Sequence, residues 1–141
     1  MGFRKNDLRR IFDHSSGKCH ICHGWLVFDN YGSMGADGAW EVEHSKPKAR
    51  GGTDHCNNLY PAHIECNRAK GKKAAQTARR AHGKKRPPLN REQRAKHQED
   101  QAVKGLGLGA LLAPLIDPTG LGLLAGMILG AAAGRKRDPD D

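Results

Sequence analysis

Two short pairs of metal-binding residue types stand out in this sequence. Cys19 and Cys22 are separated by two residues, and His63 and Cys66 repeat that spacing further along the chain. A two-residue gap lets both side chains of a pair reach one ion, and two such pairs supply the four ligands of a tetrahedral site. The spacing therefore predicts a closed, structural Zn²⁺ site of three thiolates and one imidazole. Cys56 is the alternative to His63, although its distance from Cys66 is not that of a zinc knuckle.

A second group of polar residues lies between these two pairs and just beyond them. Glu43 and His44 are adjacent, and a basic loop with a Gly51–Gly52 pair follows them. Asn58 stands 14 residues after His44, and Asn67 stands nine residues after Asn58. Together with the two ligand pairs, this arrangement closely resembles the HNH endonuclease family, in its branch with zinc knuckles flanking the motif. The resemblance covers roughly residues 8–73.

The resemblance implies a role for each of these residues. His44 would be the general base, since an imidazole titrates near neutral pH and can take a proton from the attacking water. Glu43 and Asn67 would hold a catalytic divalent cation such as Mg²⁺ through their side-chain oxygens. Asn58 would brace the loop that orients His44. The implied activity is hydrolysis of DNA phosphodiester bonds, leaving 5′-phosphate and 3′-hydroxyl ends.

Two positions depart from the usual pattern of that branch. Glu43 stands where the family usually has Asp or His, and its extra methylene could shift the cation or lower its affinity. His63 replaces the commoner Cys, which changes the charge of the zinc site but not its ability to be tetrahedral. Neither departure removes a group that the implied chemistry needs.

Basic residues are concentrated around the motif and after it. The formal net charge is +9, and residues 68–96 hold twelve Lys or Arg against one acid. This balance favours a polyanionic partner, with DNA first and an anionic membrane surface second. The stretch beyond the motif is either a DNA-binding arm or a solvated linker. Five residues close to the motif are predicted to contact phosphates: Lys46, Lys48, Arg50, Arg68 and Lys70.

The predicted fold class is α+β, a small ββα-metal (HNH) module in residues 1–82. Aromatic residues make up only 5% of the chain, so the core is small and needs a staple such as zinc. Apolar spacing predicts a first helix around Leu8 to Phe12, and Gly71 is the only breaker of a second helix predicted over residues 62–81. Three strands are predicted between these helices, over residues 25–28, 39–43 and 58–60. His20 and His23 are expected to be solvated loop histidines.

The C-terminal third has a different composition. Residues 83–104 are predicted as a basic linker, residues 105–134 as a Gly-rich apolar helical hairpin, and residues 135–141 as a charged tail. Each apolar run is shorter than the ~20 residues that a perpendicular helical span needs. Glycines recur every fourth residue from Gly122 to Gly134, a pattern typical of closely packed helix pairs. The hairpin would insert partly into a membrane, contact a partner protein, fold back on the module or mediate self-association.

Two other classes of function remain open from the sequence. One is a catalytically idle zinc module that binds nucleic acid. The other is a membrane-associated protein whose C-terminal hairpin is the main functional element. The first twelve residues lack the apolar region of a secretion signal, so we expect an intracellular, cytoplasmic location, with membrane association through the hairpin as a further option. Because no groove-reading helix is recognisable, we expect weak or absent sequence specificity.

Overall fold

The computed structural model describes the backbone of residues 2–116 and 140 and the side chains of residues 2–104 and 140. The chain divides into two compact units. The first comprises Met1–Arg91 together with Asp140, and the second begins at Glu92. All of the residues predicted to do chemistry lie in the first unit.

The first unit begins with helix α1, Lys5–Asp13. Leu8 and Ile11 form its buried face, as their spacing predicts. The chain turns at Gly17, whose φ of +74° favours glycine. A Cβ at that position would lie 2.8 Å from the ring of Phe12, so the turn packs directly against the helix.

Two antiparallel strands form the sheet: β1, Trp40–His44, and β2, Leu59–His63. The register pairs Trp40 with His63 and His44 with Leu59. Four residues of strand separate the two ends, a distance of about 13 Å. The register therefore places the predicted zinc ligand His63 and the predicted base His44 at opposite ends of one rigid hairpin.

The helix predicted over residues 62–81 is replaced by two shorter helices. β2 continues through Pro61 to His63, past residue 62, where the helix was expected to start. A proline is tolerated in this strand because a two-stranded sheet has open edges. Helix α2, Ile64–Lys70, then ends at Gly71, which has a φ of +53°. Helix α3, Ala75–Ala81, follows. The N–H of Ala75 donates to the carbonyl of Ser45, which ties the start of α3 to the loop after β1.

The strand predicted over residues 25–28 is wrong. Trp25 makes one isolated bridge to Lys18, and Val27 donates to the carbonyl of Gly38. The chain then turns at once into a short 3₁₀ helix, Phe28–Asn30. Only a single bridge forms because the chain leaves one turn at Gly24 and enters the next at Phe28.

The core of the first unit is built around Trp40, whose side chain is completely buried. Its indole N–H donates to the carbonyl of Phe28 at 3.1 Å. The rings of Phe12 and Tyr31 lie 5.2 Å and 5.0 Å from it. The other buried apolar residues packed in this cluster are Leu8, Ile11, Cys19, Ile21, Leu26, Leu59, Ala62 and Ala78. The small size of this cluster agrees with the need for a metal staple.

The predicted linker is partly packed and partly helical. Ser16 donates to the carbonyl of Leu89, which holds the end of the first unit against the turn that follows α1. Helix α4, Arg91–Ile116, then runs past the predicted boundary at residue 104 and includes the first apolar run. The predicted turn at residues 117–120 and the second apolar run lie outside the described residues. Within the described part of the chain, no helix combines the length and apolar character needed to cross a membrane.

Candidate zinc site and active site

Cys19, Cys22, His63 and Cys66 come together as the sequence predicts. One ligand atom from each residue lies within 4.8 Å of the other three. The thiol sulfur of Cys22 is 3.3 Å from Nδ1 of His63. Three sulfurs and one imidazole nitrogen at these separations are the donor set of a tetrahedral structural Zn²⁺ site.

The backbone around Cys19 folds so that its N–H groups point at sulfur. Ile21 and His63 donate to the sulfur of Cys19, at 3.4 Å and 3.3 Å, and Gly24 donates to that of Cys22 at 3.4 Å. Such N–H groups stabilise thiolates, which are the form that binds metal. A Cβ at Gly24 would lie 3.0 Å from the His63 ring, so this tight turn favours a glycine.

His63 is oriented by a second hydrogen bond. Its Nε2 lies 3.2 Å from the carbonyl oxygen of Trp25, which can only accept, so Nε2 carries the proton and Nδ1 faces the sulfurs. Hydrogen bonds with Cys19 and Cys22 raise the pKa of His63 to about 10. Hydrogen bonds from Cys19 and Cys66 hold the pKa of the Cys22 thiol far below its usual range. Hydrogen bonds with Cys19 and Cys22 raise the pKa of the Cys66 thiol instead, so the four groups share protons that a bound metal ion would displace.

Cys56 does not join this cluster. Its sulfur instead lies 3.9 Å from the guanidinium of Arg10 on α1. Of the two alternatives that spacing left open, His63 lies with the other three ligand atoms and Cys56 does not.

His44 lies at the far end of β1, with 21% of its side chain exposed. Its Nε2 is 2.7 Å from a carboxylate oxygen of Asp54. The other oxygen of Asp54 accepts a hydrogen bond of 2.8 Å from the ammonium of Lys48. These hydrogen bonds, from Lys48 first and His44 second, lower the pKa of Asp54, so its carboxylate is ionised at neutral pH.

Asn58 holds the loop between the two strands closed. Its amide oxygen accepts from the backbone N–H of Lys46 at 2.7 Å. Its amide nitrogen donates to the carbonyls of Lys46 and Thr53, at 3.0 Å and 2.9 Å. Gly52 passes so close to the Lys46 carbonyl that a Cβ would overlap it. One side chain thus fixes both sides of the loop that follows His44.

Glu43 is completely buried, on the face of β1 that α2 covers. Its oxygens lie 3.4 Å from Nδ1 of His20 and 3.4 Å from the ammonium of Lys70. Burial raises the pKa of Glu43 to about 7, against the opposing effect of Lys70. Burial also lowers the pKa of His20 to about 2, so that imidazole stays neutral.

The expectation that His20 is a solvated loop histidine is therefore wrong. The sharp turn at Cys19–Gly24 directs His20 inward, where its ring packs edge-on against Tyr60 at 3.9 Å. Arg79 of α3 donates to the His20 carbonyl at 3.4 Å. His23 is not a free loop residue either, since its Nε2 lies 3.1 Å from the carbonyl oxygen of Arg86.

Asn67 lies on α2 and faces the same side of β1 as Glu43. Its amide nitrogen donates a hydrogen bond of 2.9 Å to Glu41, two residues before Glu43. Glu41, which the sequence did not single out, is thus the carboxylate in direct contact with Asn67. The amide oxygen of Asn67 is left as a neutral ligand atom of the kind that a hard cation prefers.

Residues 19–73 match the profile of the family described as HNH endonuclease. This segment belongs to the HNH endonuclease family. Comparisons with curated proteins and with solved structures returned no match. Membership of the segment implies nuclease activity in general, the use of divalent metals and nucleic acid as the class of substrate.

The HNH segment presents four of the five predicted phosphate-contacting side chains at its surface. Lys46, Lys48, Arg50 and Arg68 are exposed. Lys70 is not available to phosphate, because its ammonium is buried and donates to the carbonyls of His44 and Lys73 beside Glu43. Lys70 connects α2 to the end of β1 and so supports the position of His44.

Asp54 and Glu41 contact residues of the HNH motif but were not predicted from the sequence. Asp54 lies ten residues after His44 in a loop, where no periodic pattern signals a contact. Glu41 could have been found, because residues two apart on a strand share a face and Glu43 had already been singled out.

Proposed function

We propose that this protein is a divalent-metal-dependent endonuclease that hydrolyses DNA phosphodiester bonds, with His44 as the general base. The observation that carries the proposal is the placement of His44 at the end of a rigid hairpin. The hairpin is anchored by the four-residue zinc cluster at its other end, and the loop beyond His44 is closed by Asn58. The structural metal would therefore lie apart from the groups that react.

His44 is suited to accept a proton from an attacking water. Its side chain is partly exposed, so water and a phosphate can reach it. The carbonyl of His44 accepts from the buried Lys70, and the ring is held by Asp54, so both parts of the residue are restrained. A restrained base lowers the entropy cost of reaching the reacting geometry.

A divalent cation would be held on the acidic face of β1, by Asn67 and Glu43. The donors fit in kind, because Glu43 supplies carboxylate oxygens whose partners His20 and Lys70 lie at 3.4 Å, and Asn67 has its amide nitrogen occupied by Glu41. Without a bound cation, the ammonium of Lys70 balances the charge of Glu43. Glu41 adds a second carboxylate beside Asn67. When bound, such a cation would stabilise the charge developing on the phosphorane and on the leaving 3′-oxygen.

Exposed basic residues would hold the DNA backbone beside His44. Lys46 and Arg50 lie in the loop that follows His44, and Arg68 follows Asn67 on α2. Contacts of this kind position a duplex without reading its sequence. The net charge of +9 adds a longer-range attraction for a polyanion.

Incubation of the full chain with supercoiled plasmid tests the proposal. We expect cleavage in Mg²⁺ or Mn²⁺ and none in EDTA, with product ends that a DNA ligase can rejoin because they carry 5′-phosphate and 3′-hydroxyl groups. A chain that binds plasmid but never cuts it, with either metal, would instead be the idle nucleic-acid-binding module.

A further inference from the structure

Asp54 and His44 are joined by a short hydrogen bond between their side chains in the candidate active site. Nε2 of His44 and Oδ1 of Asp54 are 2.7 Å apart. An ionised carboxylate can only accept hydrogen bonds, so the proton of this contact belongs to Nε2. A neutral imidazole carries one ring proton, and Nδ1 is therefore left as the nitrogen that can accept another.

The surrounding loop holds Asp54 in this position although almost half of its side chain is exposed. Lys48 donates to the second carboxylate oxygen at 2.8 Å. Asn58 donates to the carbonyl of Thr53, the residue directly before Asp54. The close passage of Gly52 over the Lys46 carbonyl fixes the same segment from the other side. Three independent restraints thus converge on one exposed carboxylate.

We propose that Asp54 is the positioning residue of the active site, which fixes the ring orientation and the tautomer of His44 so that Nδ1 faces the reaction. This inference rests on the proposed function. The proton of the attacking water passes to Nδ1, while Nε2 keeps its own proton in the hydrogen bond to Asp54. Asp54 itself touches neither substrate nor cation in this account, and its negative charge stabilises the imidazolium that forms.

The same geometry changes the role of Lys48. Its ammonium is engaged by Asp54, so Lys48 acts first as a restraint on the carboxylate and only second as a phosphate contact. Lys48→Met removes this restraint and leaves the His44–Asp54 contact in place. Lys48→Met is therefore compared with Asp54→Ala in the tautomer measurement alone, because Lys48 is also a predicted phosphate contact.

Two readouts on the full, zinc-loaded chain test the proposal: the His44 tautomer from ¹⁵N NMR, and kcat and KM for cleavage of a short duplex. In wild type and Lys48→Met, we expect His44 to carry its proton on Nε2. In Asp54→Ala, we expect a mixture of tautomers and a kcat lower by roughly 10- to 100-fold with little change in KM, the range typical for loss of a group that orients a functional imidazole.

Asp54→Glu should restore part of both signals, because a carboxylate is still present. The inference is overturned if Asp54→Ala keeps the wild-type tautomer and kcat. It is also overturned if Lys48→Met loses the tautomer as fully as Asp54→Ala does, since the loop and not the carboxylate would then position the ring. A wild-type chain that cleaves no DNA overturns the proposed function instead, and the tautomer measurement distinguishes the two failures.

Discussion

The amide of Asn67 and the carboxylate of Glu41 form a hydrogen bond of 2.9 Å across the interface between α2 and β1. The contact orients the amide, because its nitrogen faces Glu41 and its oxygen is directed elsewhere. Glu43, two residues along the same face, is buried against Lys70. The acidic face of β1 therefore presents two carboxylates in different environments, and the amide of Asn67 on α2 contacts one of them.

Replacing Glu41 with Ala should weaken the catalytic cation. Without its acceptor the Asn67 amide is free to rotate, so we expect the Mn²⁺ concentration for half-maximal cleavage to rise about tenfold. Direct Mn²⁺ binding, followed by electron paramagnetic resonance, should weaken in parallel. The control is Glu65→Ala, which removes an exposed carboxylate from α2, the helix that carries Asn67. Equal Mn²⁺ affinity in both variants would argue against a cation site on this face.

Cys66→Ser should lose both the zinc and the folded module. Structural zinc contributes on the order of 10 kcal/mol in small modules, which is comparable with the whole stability of a domain. We expect one zinc per wild-type chain by elemental analysis and a much lower melting temperature for the variant. Cys56→Ser should keep its zinc, since Cys56 lies outside the cluster. Similar zinc content and melting in the two variants would refute the ligand assignment.

Asn58→Ala should loosen the loop after His44 without unfolding the module. Three hydrogen bonds to Lys46 and Thr53 are lost, which lowers the free energy of unfolding by about 1–3 kcal/mol. We expect faster amide hydrogen exchange confined to residues 46–54 and a reduced kcat. In Asn57→Ala, both hydrogen exchange and kcat should stay close to wild type, because the Asn57 side chain lies 3.0 Å from the neighbouring His55 and does not brace the loop. Unchanged amide hydrogen exchange in Asn58→Ala would show that Asn58 does not brace this loop.

Binding of DNA should weaken steeply as salt rises. Phosphate contacts release counterions, so the logarithm of the association constant should fall linearly with the logarithm of salt concentration. Arg68→Ala should reduce that slope by about one unit, as expected for one lost phosphate contact. Lys5→Ala, an exposed residue on α1, carries the same change in charge and should leave the slope nearly unchanged. An affinity that is flat with salt would contradict binding through the backbone.

The sequence was sufficient to predict the four-residue Cys/His cluster and the two strands that pair, although not to exclude a third strand over residues 25–28, because both features follow from local spacing. Two-residue gaps identify Cys19, Cys22, His63 and Cys66, and alternation identifies β1. The burial of Glu43 could not be predicted in this way, because it depends on α2 covering the acidic face of the strand. His20 and Lys70 converge on the same carboxylate from distant parts of the chain. The single helix predicted over residues 62–81 does not form, because Gly71 ends α2. A separate helix, α3, begins at Ala75, whose N–H donates to the carbonyl of Ser45.

The role of His44 as general base is tested by comparing His44→Ala with His82→Ala in metal-dependent plasmid cleavage. His82 is exposed at the end of α3, so its loss controls for removing a histidine from the same unit. Both variants should bind one zinc and melt like wild type. We expect His44→Ala to cleave more slowly by ~10²–10⁴-fold, the usual effect of losing a general base, and His82→Ala to cleave at the wild-type rate. A zinc-loaded His44→Ala protein that cleaves as fast as wild type would show that His44 is not the general base.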